Sequence, residues 1–120
     1  MYSLYYSPGA ASLVVHWLLI ELGVPHQLNK LDLQAGQQKR PEYLALNPNG
    51  VVPTLVIDGK PMQEAAAMLL WLADRHADAG LAPAAHDPRW ACCECANYAS
   101  GAMEHQHHRT RTLYCFGHLV

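Results

Sequence analysis

The spacing of hydrophobic and polar residues predicts a strand, a helix and a second strand at the start of the chain. Residues 3–6 include two tyrosines and lead into a Ser-Pro-Gly loop, as a short strand does. Residues 13–20 are apolar at helical spacing until a glycine and a proline end the pattern, and Ser12 is the predicted N-cap of this helix. Residues 26–31 alternate weakly. Because a helix separates them from the first strand, they are predicted to form a strand parallel to it.

The next segments predict a short helix, a hairpin and an amphipathic helix. Pro41 suits the first position of the short helix. Residues 54–57 form a predicted buried strand, and Asp58-Gly59 is the turn to an edge strand over residues 60–62, which contains a proline. The amphipathic helix begins at Glu64. The order β-α-β-α-β-β-α, with a proline at the start of the third strand, predicts an α/β, thioredoxin-like fold.

The Val52-Pro53 step is the main candidate for a binding edge. An X-Pro bond is the one kind of peptide bond whose cis form costs only about 0.5–1 kcal/mol, so a cis bond is predicted here. Such a bend would turn the N–H and C=O of Val52 toward a pocket, where a peptide-like ligand would add itself as a short strand. The structural alternative is that Pro53 only begins a strand.

Glu64, a few residues later, adds a negative charge next to the Val52-Pro53 step. The orphan N–H groups and the positive dipole end of a helix N-terminus favour an anion, while the Glu64 carboxylate suits an ammonium. Both groups together fit the α-amino acid end of a ligand. The structural alternative is that Glu64 only caps the helix.

Composition and charge exclude several classes of function. A chain of 120 residues that is 51% hydrophobic and 15% charged is typical of one soluble globular domain, with or without a fragment of a second. Its net charge of −2 leaves no footprint for nucleic acid or an acidic membrane surface. No apolar run approaches the roughly 20 residues that span a bilayer, and no signal-peptide pattern precedes the first strand. The predicted location is the cytoplasm.

A change in composition divides the chain near residue 88. All four cysteines and four of the eight histidines lie beyond it, whereas none of the eight prolines does. We therefore predict a domain over residues 1–80, a linker over 81–88 and a partial helical region over 89–120 with an irregular end. We interpret this last region as a truncated or frame-altered remnant. Its Cys and His residues have no paired C-x-x-C frame, so no metal site is predicted. One hypothesis on function is a metal- or thiol-reactive tail attached to an inert fold.

Three motifs give the chain a resemblance to a known family. They are the opening Leu4-Tyr5-Tyr6-Ser7-Pro8-Gly9-Ala10-Ala11-Ser12-Leu13, the run from Lys39 to Gly50, and Val52-Pro53. In this order, over about residues 2–88, they resemble the bacterial, beta-like cytosolic glutathione transferases. The resemblance persists weakly through residues 94–98, which are similar to the first helix of the family's all-α second domain. It implies a thioredoxin-like domain followed by the start of an all-α domain, a homodimer, and conjugation of the glutathione thiolate to small electrophiles.

The resemblance also implies which residues bind glutathione. Val52, held by Pro53, would pair its main chain with the cysteinyl part of the tripeptide. Glu64 would hold the γ-glutamyl ammonium, and the N–H of Ala65, where the family often has serine, would take the α-carboxylate. Lys39 would reach the glycyl carboxylate, and the structural alternative is a solvated lysine of the loop. Glutathione would serve as co-substrate, and no cofactor is expected.

Ser12 and Tyr6 are the predicted catalytic residues. The thiolate is the nucleophile, and a hydroxyl at a helix N-terminus, as Ser12 offers, stabilises that anion. The resemblance places Tyr6 near the thiol and Asn97 at a position that in relatives can reach it, from the same subunit or across the dimer. The structural alternative for Tyr6 is a half-buried aromatic residue of the strand. Ala11 stands where beta-class members carry a cysteine, which excludes mixed-disulfide chemistry at that position. Ala11 and the lack of a recognisable electrophile pocket favour the alternative function, a non-catalytic glutathione-binding or dimerising module.

Overall fold

The computed structural model describes residues 1–82, which form a four-stranded mixed sheet with helices on both faces. The strands are β1 (Tyr2–Tyr6), β2 (His26–Lys30), β3 (Thr54–Ile57) and β4 (Lys60–Met62), in the order β2-β1-β3-β4. The helices are α1 (Ser12–Glu21), α2 (Pro41–Leu44) and α3 (Ala65–Arg75), with 3₁₀ turns at Gln37–Lys39 and Ala77–Ala79. β1 runs parallel to β2 and antiparallel to β3, which is antiparallel to β4. The predicted thioredoxin-like arrangement is confirmed.

The hydrophobic core lies between the sheet and the helices α1 and α3. Successive residues of β1 point to opposite faces, so the fully buried Leu4 packs into this core while Tyr5 contacts Tyr43 of α2 on the other face. The apolar stripe predicted for α3 is buried as expected. The core residues are Leu4, Val14, Val15, Leu18, Leu19, Leu55, Ala65, Met68, Leu69 and Leu72.

The turn between β3 and β4 is the one that its sequence predicts. Asp58 and Gly59 have φ angles of 48° and 83°, the left-handed backbone that a two-residue hairpin turn requires. The carboxylate of Asp58 accepts a hydrogen bond from the Met1 ammonium at 2.5 Å. That bond lowers the pKa of the Asp58 carboxyl and ties the beginning of β1 to the hairpin.

The prediction that Ser12 caps α1 is wrong. Ala11 occupies the N-cap position, with helical φ and ψ of −56° and −17°, and no side chain caps the helix. Ser12 lies inside the first turn and is fully buried. Its hydroxyl donates to the carbonyl of Ser7 at 3.1 Å and accepts from the Ser7 N–H at 3.2 Å. Ser12 therefore fastens the loop between β1 and α1 rather than the helix end.

Several sequence predictions fall beyond the described part of the chain. The region over 89–120, most of the linker over 81–88, and Asn97 lie outside the described residues, and these assignments stay predictions. Between residues 1 and 82, no helix has the length and apolar character needed to cross a bilayer.

Candidate functional site

A cleft of about 440 Å³ opens where four loop segments of the described chain meet. They come from the β1–α1 loop, the segment after β2, the segment before β3 and the start of α3. Four residues that the sequence predicts to bind glutathione, namely Val52, Pro53, Glu64 and Ala65, line it together. The other lining residues are Ala10, Ala11, Leu33, Gln38, Asn47, Asn49, Gly50, Val51 and Gln63.

Val52 presents free main-chain groups to this cleft. The Val52-Pro53 bond is cis, as predicted, and β3 begins only at Thr54. Within residues 1–82, neither the N–H nor the C=O of Val52 has a hydrogen-bond partner. Both groups belong to a half-buried residue on the wall of the cleft. They are therefore available to a ligand that pairs like a β-strand.

Glu64 stands at the N-terminus of α3 with an unusual backbone. Its φ and ψ are 71° and 109°, a conformation that costs a residue with a Cβ on the order of 1–3 kcal/mol. The side chain is exposed and makes no capping hydrogen bond, so the structural alternative of a simple cap is not observed. Glu64 is the one ionisable side chain among the described lining residues. A strained residue that aims a carboxylate at a cleft is typical of a ligand site.

Lys39 lies at the rim of the cleft. Its ammonium donates to the carbonyl of Asn49 at 3.1 Å, and its side chain lies next to Gly50. Gly50 has a φ of +61°, and a Cβ at this position would lie 2.8 Å from Lys39 Nζ and 2.9 Å from the carbonyl oxygen of Gln38. Lys39 is not part of the lining. Its contact with the glycyl carboxylate stays a prediction.

The two predicted catalytic side chains do not line the cleft. The Ser12 hydroxyl is buried against the Ser7 main chain. The Tyr6 ring lies on the core side of the sheet, 6.1 Å between centroids from the ring of His16. Ala10 and Ala11, from the same loop as Ser7, do line it. This loop therefore contributes Ala10 and Ala11 to the wall of the cleft, whereas Ser7 and Ser12, which carry the hydroxyl groups, do not line it.

A second cleft of about 680 Å³ adjoins the first and shares Leu33 with it. It lies beyond the carboxyl ends of the parallel strands β1 and β2, a common position for ligands in α/β sheets. Lys30 and Asp32 supply its charged side chains. Its lining is Ser7, Pro8, Lys30, Leu31, Asp32, Leu33, Gln34 and Gln37.

A comparison with models of protein families identifies the family of this chain. Residues 10–75, more than half of it, match the family model described as "Glutathione S-transferase, N-terminal domain". The chain belongs to this family. The match covers α1, the segment before β3 and the start of α3, and so includes all four of the predicted binding residues in the cleft.

Curated relatives and a solved structure agree with the family. The chain is 44% identical over 71 residues to glutathione S-transferase GST-4.5 of Xanthomonas campestris pv. campestris, covering 59% of this chain and 34% of that protein. It is 38% identical over 98 residues to glutathione S-transferase GstA of Escherichia coli O157:H7, covering 79% and 49%. A sphingomonad glutathione S-transferase solved with glutathione is 35% identical, with a TM-score of 0.69, covering 80% and 49%. The chain therefore spans no more than about half the length of these relatives.

In this member of the family, a buried hydrogen-bond network that sequence reasoning missed supports the wall of the cleft. Tyr43 and Asn47 both donate to the carbonyl of Val51, and both bond the hydroxyl of Thr54. All three side chains are at least 96% buried. An Asn before Pro, Asn and Gly is typical of a turn residue, so no local pattern predicts that Asn47 is buried against Thr54.

The burial of Tyr43 predicts an alkaline limit to stability. Burial, the largest effect, raises the pKa of the Tyr43 hydroxyl above 10.0 in the folded protein. Because the folded state then holds this proton more tightly than the unfolded state, the contribution of Tyr43 to stability is fully present below about pH 10 and is lost as the pH rises further. Urea midpoints measured from pH 8 to 11.5 are expected to fall less steeply in Tyr43→Phe than in the wild type.

Tyr6→Phe is the control for that measurement, because the Tyr6 hydroxyl has no hydrogen bond to another described residue and Tyr6, unlike Tyr5, does not act on the pKa of Tyr43. Its midpoints are expected to follow the wild-type slope. An identical slope in Tyr43→Phe and the wild type would contradict the effect of burial.

Proposed function

We propose that this chain provides the glutathione-binding domain of a glutathione S-transferase, in which the glutathione thiolate attacks small electrophiles. The observation that carries the proposal is the free main chain of Val52 beside the Glu64 carboxylate and the N-terminus of α3. A β-like edge, an anion and a helix N-terminus in one cleft match the amide, ammonium and carboxylate of a γ-glutamyl peptide.

Each part of glutathione has a proposed partner. Val52, held by Pro53, pairs with the cysteinyl main chain, Glu64 takes the γ-glutamyl ammonium, and the Ala65 N–H takes the α-carboxylate. Lys39 remains the proposed partner of the glycyl carboxylate, since its ammonium lies at the rim. A charge-assisted pair is worth about twice a neutral hydrogen bond, so Glu64 and Lys39 are expected to contribute most of the side-chain affinity.

The thiol lies, in this proposal, beside the β1–α1 loop. Lining residue Ala11 has an N–H with no hydrogen-bond acceptor within residues 1–82, and this group at the start of α1 can stabilise a thiolate. The hydroxyl of Ser12 then acts by holding Ser7 and the loop, while direct roles for Ser12, Tyr6 and Asn97 stay predictions. Conjugation forms the S–C bond, and the leaving group departs with the electron pair of the bond that breaks.

Ser12→Ala tests how Ser12 acts. We expect the free energy of unfolding to fall by about 1–3 kcal/mol, because the buried Ser7 N–H loses its partner and the Ser7 carbonyl keeps only the Ala10 N–H as a donor. If Ser12 also stabilises the thiolate directly, the variant raises the pKa in the pH profile of kcat/KM by about one unit, which corresponds to roughly 1.4 kcal/mol. Ser3→Ala also removes a hydrogen bond, the one that the Ser3 hydroxyl accepts from Asn29 Nδ2 at 2.6 Å, but outside the cleft, so it is the control for the pH profile and is expected to leave that profile unchanged. An unchanged stability would contradict the positioning role.

The remaining parts of the proposal come from the family. They are a homodimer, a cytoplasmic location and a small electrophile as second substrate. We place this electrophile in the adjoining cleft around Lys30 and Asp32, because Ser7 and Pro8 of the β1–α1 loop also line it.

Retention on immobilised glutathione and conjugation of a chlorinated nitroaromatic test the proposal in two steps. Elution by free glutathione, followed by formation of the conjugate above the uncatalysed rate, is the expected result. Retention without turnover would instead support a binding or dimerising module, which Ala11 and Ala65 favour by removing a thiol and a hydroxyl from the cleft. A chain that is not retained would contradict both functions.

A further inference from the structure

Hydrogen bonds fix the residue on each side of Val52 and Pro53. The carbonyl of Val51 accepts from Tyr43 Oη at 2.6 Å and from Asn47 Nδ2 at 2.9 Å, which uses both of its lone pairs. A carbonyl with two donors cannot rotate without losing one of them. The peptide plane that ends in the Val52 N–H is therefore held in one orientation.

The hydroxyl of Thr54 closes the network on the other side. It lies 2.7 Å from Tyr43 Oη and accepts from Asn47 Nδ2 at 3.1 Å. Since the Tyr43 proton goes to Val51, the Thr54 hydroxyl donates to Tyr43. Each of the four donor hydrogens, two of them on Asn47 Nδ2, then has one acceptor. The four groups form a closed ring, which we call the Val51–Thr54 ring. It comprises Tyr43, Asn47, Val51 and Thr54.

Asn47 is itself fixed by the surrounding main chain. Its side-chain oxygen accepts from the Asn49 N–H at 3.1 Å, and its backbone N–H donates to the Tyr43 carbonyl at 2.9 Å. The carbonyl of Asn47 accepts from the Gly50 N–H at 2.9 Å. The ring is thus attached to α2 and to the turn before β3. These hydrogen bonds hold the ring in place, so the ring opposes any displacement of Val52.

We propose that Tyr43, Asn47 and Thr54 are positioning residues for glutathione, which act by aiming the main chain of Val52 through the Val51–Thr54 ring. This inference rests on the proposed function. Hydrogen bonds weaken steeply as their angles depart from linear, so a strand-like ligand depends on the orientation of the groups that receive it. A preorganised edge also avoids the ordering penalty on binding.

Stability alone does not require such a ring. The side chains of Tyr43 and Thr54 bond each other, and replacing both partners of such a hydrogen bond by apolar groups of the same shape can be nearly neutral. A buried polar ring instead specifies one geometry. Because the ring lies directly behind the wall of the cleft, we infer that the ring fixes the geometry of that wall.

Thr54→Val and Tyr43→Phe, with Thr54→Ser as the conservative variant, test this role by calorimetric titration with glutathione. Thr54→Val removes both hydrogen bonds of the hydroxyl at nearly constant volume. We expect it to raise the dissociation constant about 10-fold, the loss of roughly one net hydrogen bond to the ligand, and Tyr43→Phe to raise it several-fold. Thr54→Ser is expected to bind within about twofold of the wild type, since the hydroxyl remains.

A destabilised protein with an intact ring is the matched control. Val15→Ala creates a cavity in the core, away from the cleft, and costs about 0.5–3 kcal/mol of stability. At a temperature where all variants are folded by circular dichroism, it is expected to bind glutathione as the wild type does. The amide resonance of Val52 should shift in Thr54→Val and Tyr43→Phe but not in Val15→Ala.

The outcomes separate this inference from the proposed function. Wild-type binding that persists unchanged in Thr54→Val and Tyr43→Phe would overturn the positioning role and leave glutathione binding intact. Loss of affinity in Val15→Ala equal to that in Thr54→Val would also overturn it, because stability alone would then explain the effect. A wild-type chain that does not bind glutathione would overturn both.

Discussion

Replacing Glu64 by glutamine is expected to weaken glutathione binding by about 10- to 100-fold, because a charge-assisted hydrogen bond contributes about 1.5–3 kcal/mol. The carboxylate is exposed and the sole charge among the described lining residues, so no neighbour in the lining replaces it. Calorimetric titration at low salt measures the change. The effect should shrink as salt is added, since the group is reached by solvent.

Two controls isolate the charge pair. Glu21→Gln makes the same substitution at an exposed position of α1 outside the cleft and is expected to leave the dissociation constant unchanged. A glutathione analogue without the γ-glutamyl amino group should bind wild type and Glu64→Gln equally, because the ammonium partner is absent. If Glu64→Gln weakened this analogue as much as glutathione, the pairing with the ammonium would be refuted.

Gly50→Ala is expected to lower the free energy of unfolding by about 2–5 kcal/mol. A left-handed φ costs an alanine about 1–2 kcal/mol, and overpacking adds typically 1–3 kcal/mol. The added Cβ would lie 2.9 Å from the backbone oxygen of Gln38, which cannot move as a flexible side chain does. Because Gly50 precedes Val51, the shift should also reduce glutathione affinity.

Gly23→Ala is the matched control, since Gly23 has the same φ of +61° and nothing within 4 Å of an added Cβ. Urea unfolding is expected to show a loss of about 1–2 kcal/mol there, which leaves the difference between the variants as the steric contribution. Equal losses in the two variants would show that the close approach around Gly50 has no energetic consequence.

Local chemistry made most of the fold predictable. The Asp58-Gly59 turn, the strand that begins after Pro53 and the buried stripe of α3 each follow from rules that act within a few residues. The cis Val52-Pro53 bond and the convergence of Val52 and Glu64 were also predicted, since a hairpin returns the chain to the same cleft.

The remaining features depend on contacts between distant segments. Serine before an apolar run signals an N-cap, but here the Ser12 hydroxyl bonds a loop residue instead, and no local pattern distinguishes these outcomes. Tyr43 and Thr54 are eleven positions apart and meet only because α2 packs behind the segment that begins β3. Sequence periodicity carries no information on such a pairing.

A structure of the protein with glutathione bound tests the central claim most directly. The cysteinyl amide and carbonyl of glutathione should lie within about 3.2 Å of the main-chain carbonyl and N–H of Val52, with the γ-glutamyl ammonium on the Glu64 carboxylate. Glutathione bound elsewhere, for example in the cleft around Lys30 and Asp32 with the Val52 groups left unpaired, would contradict it.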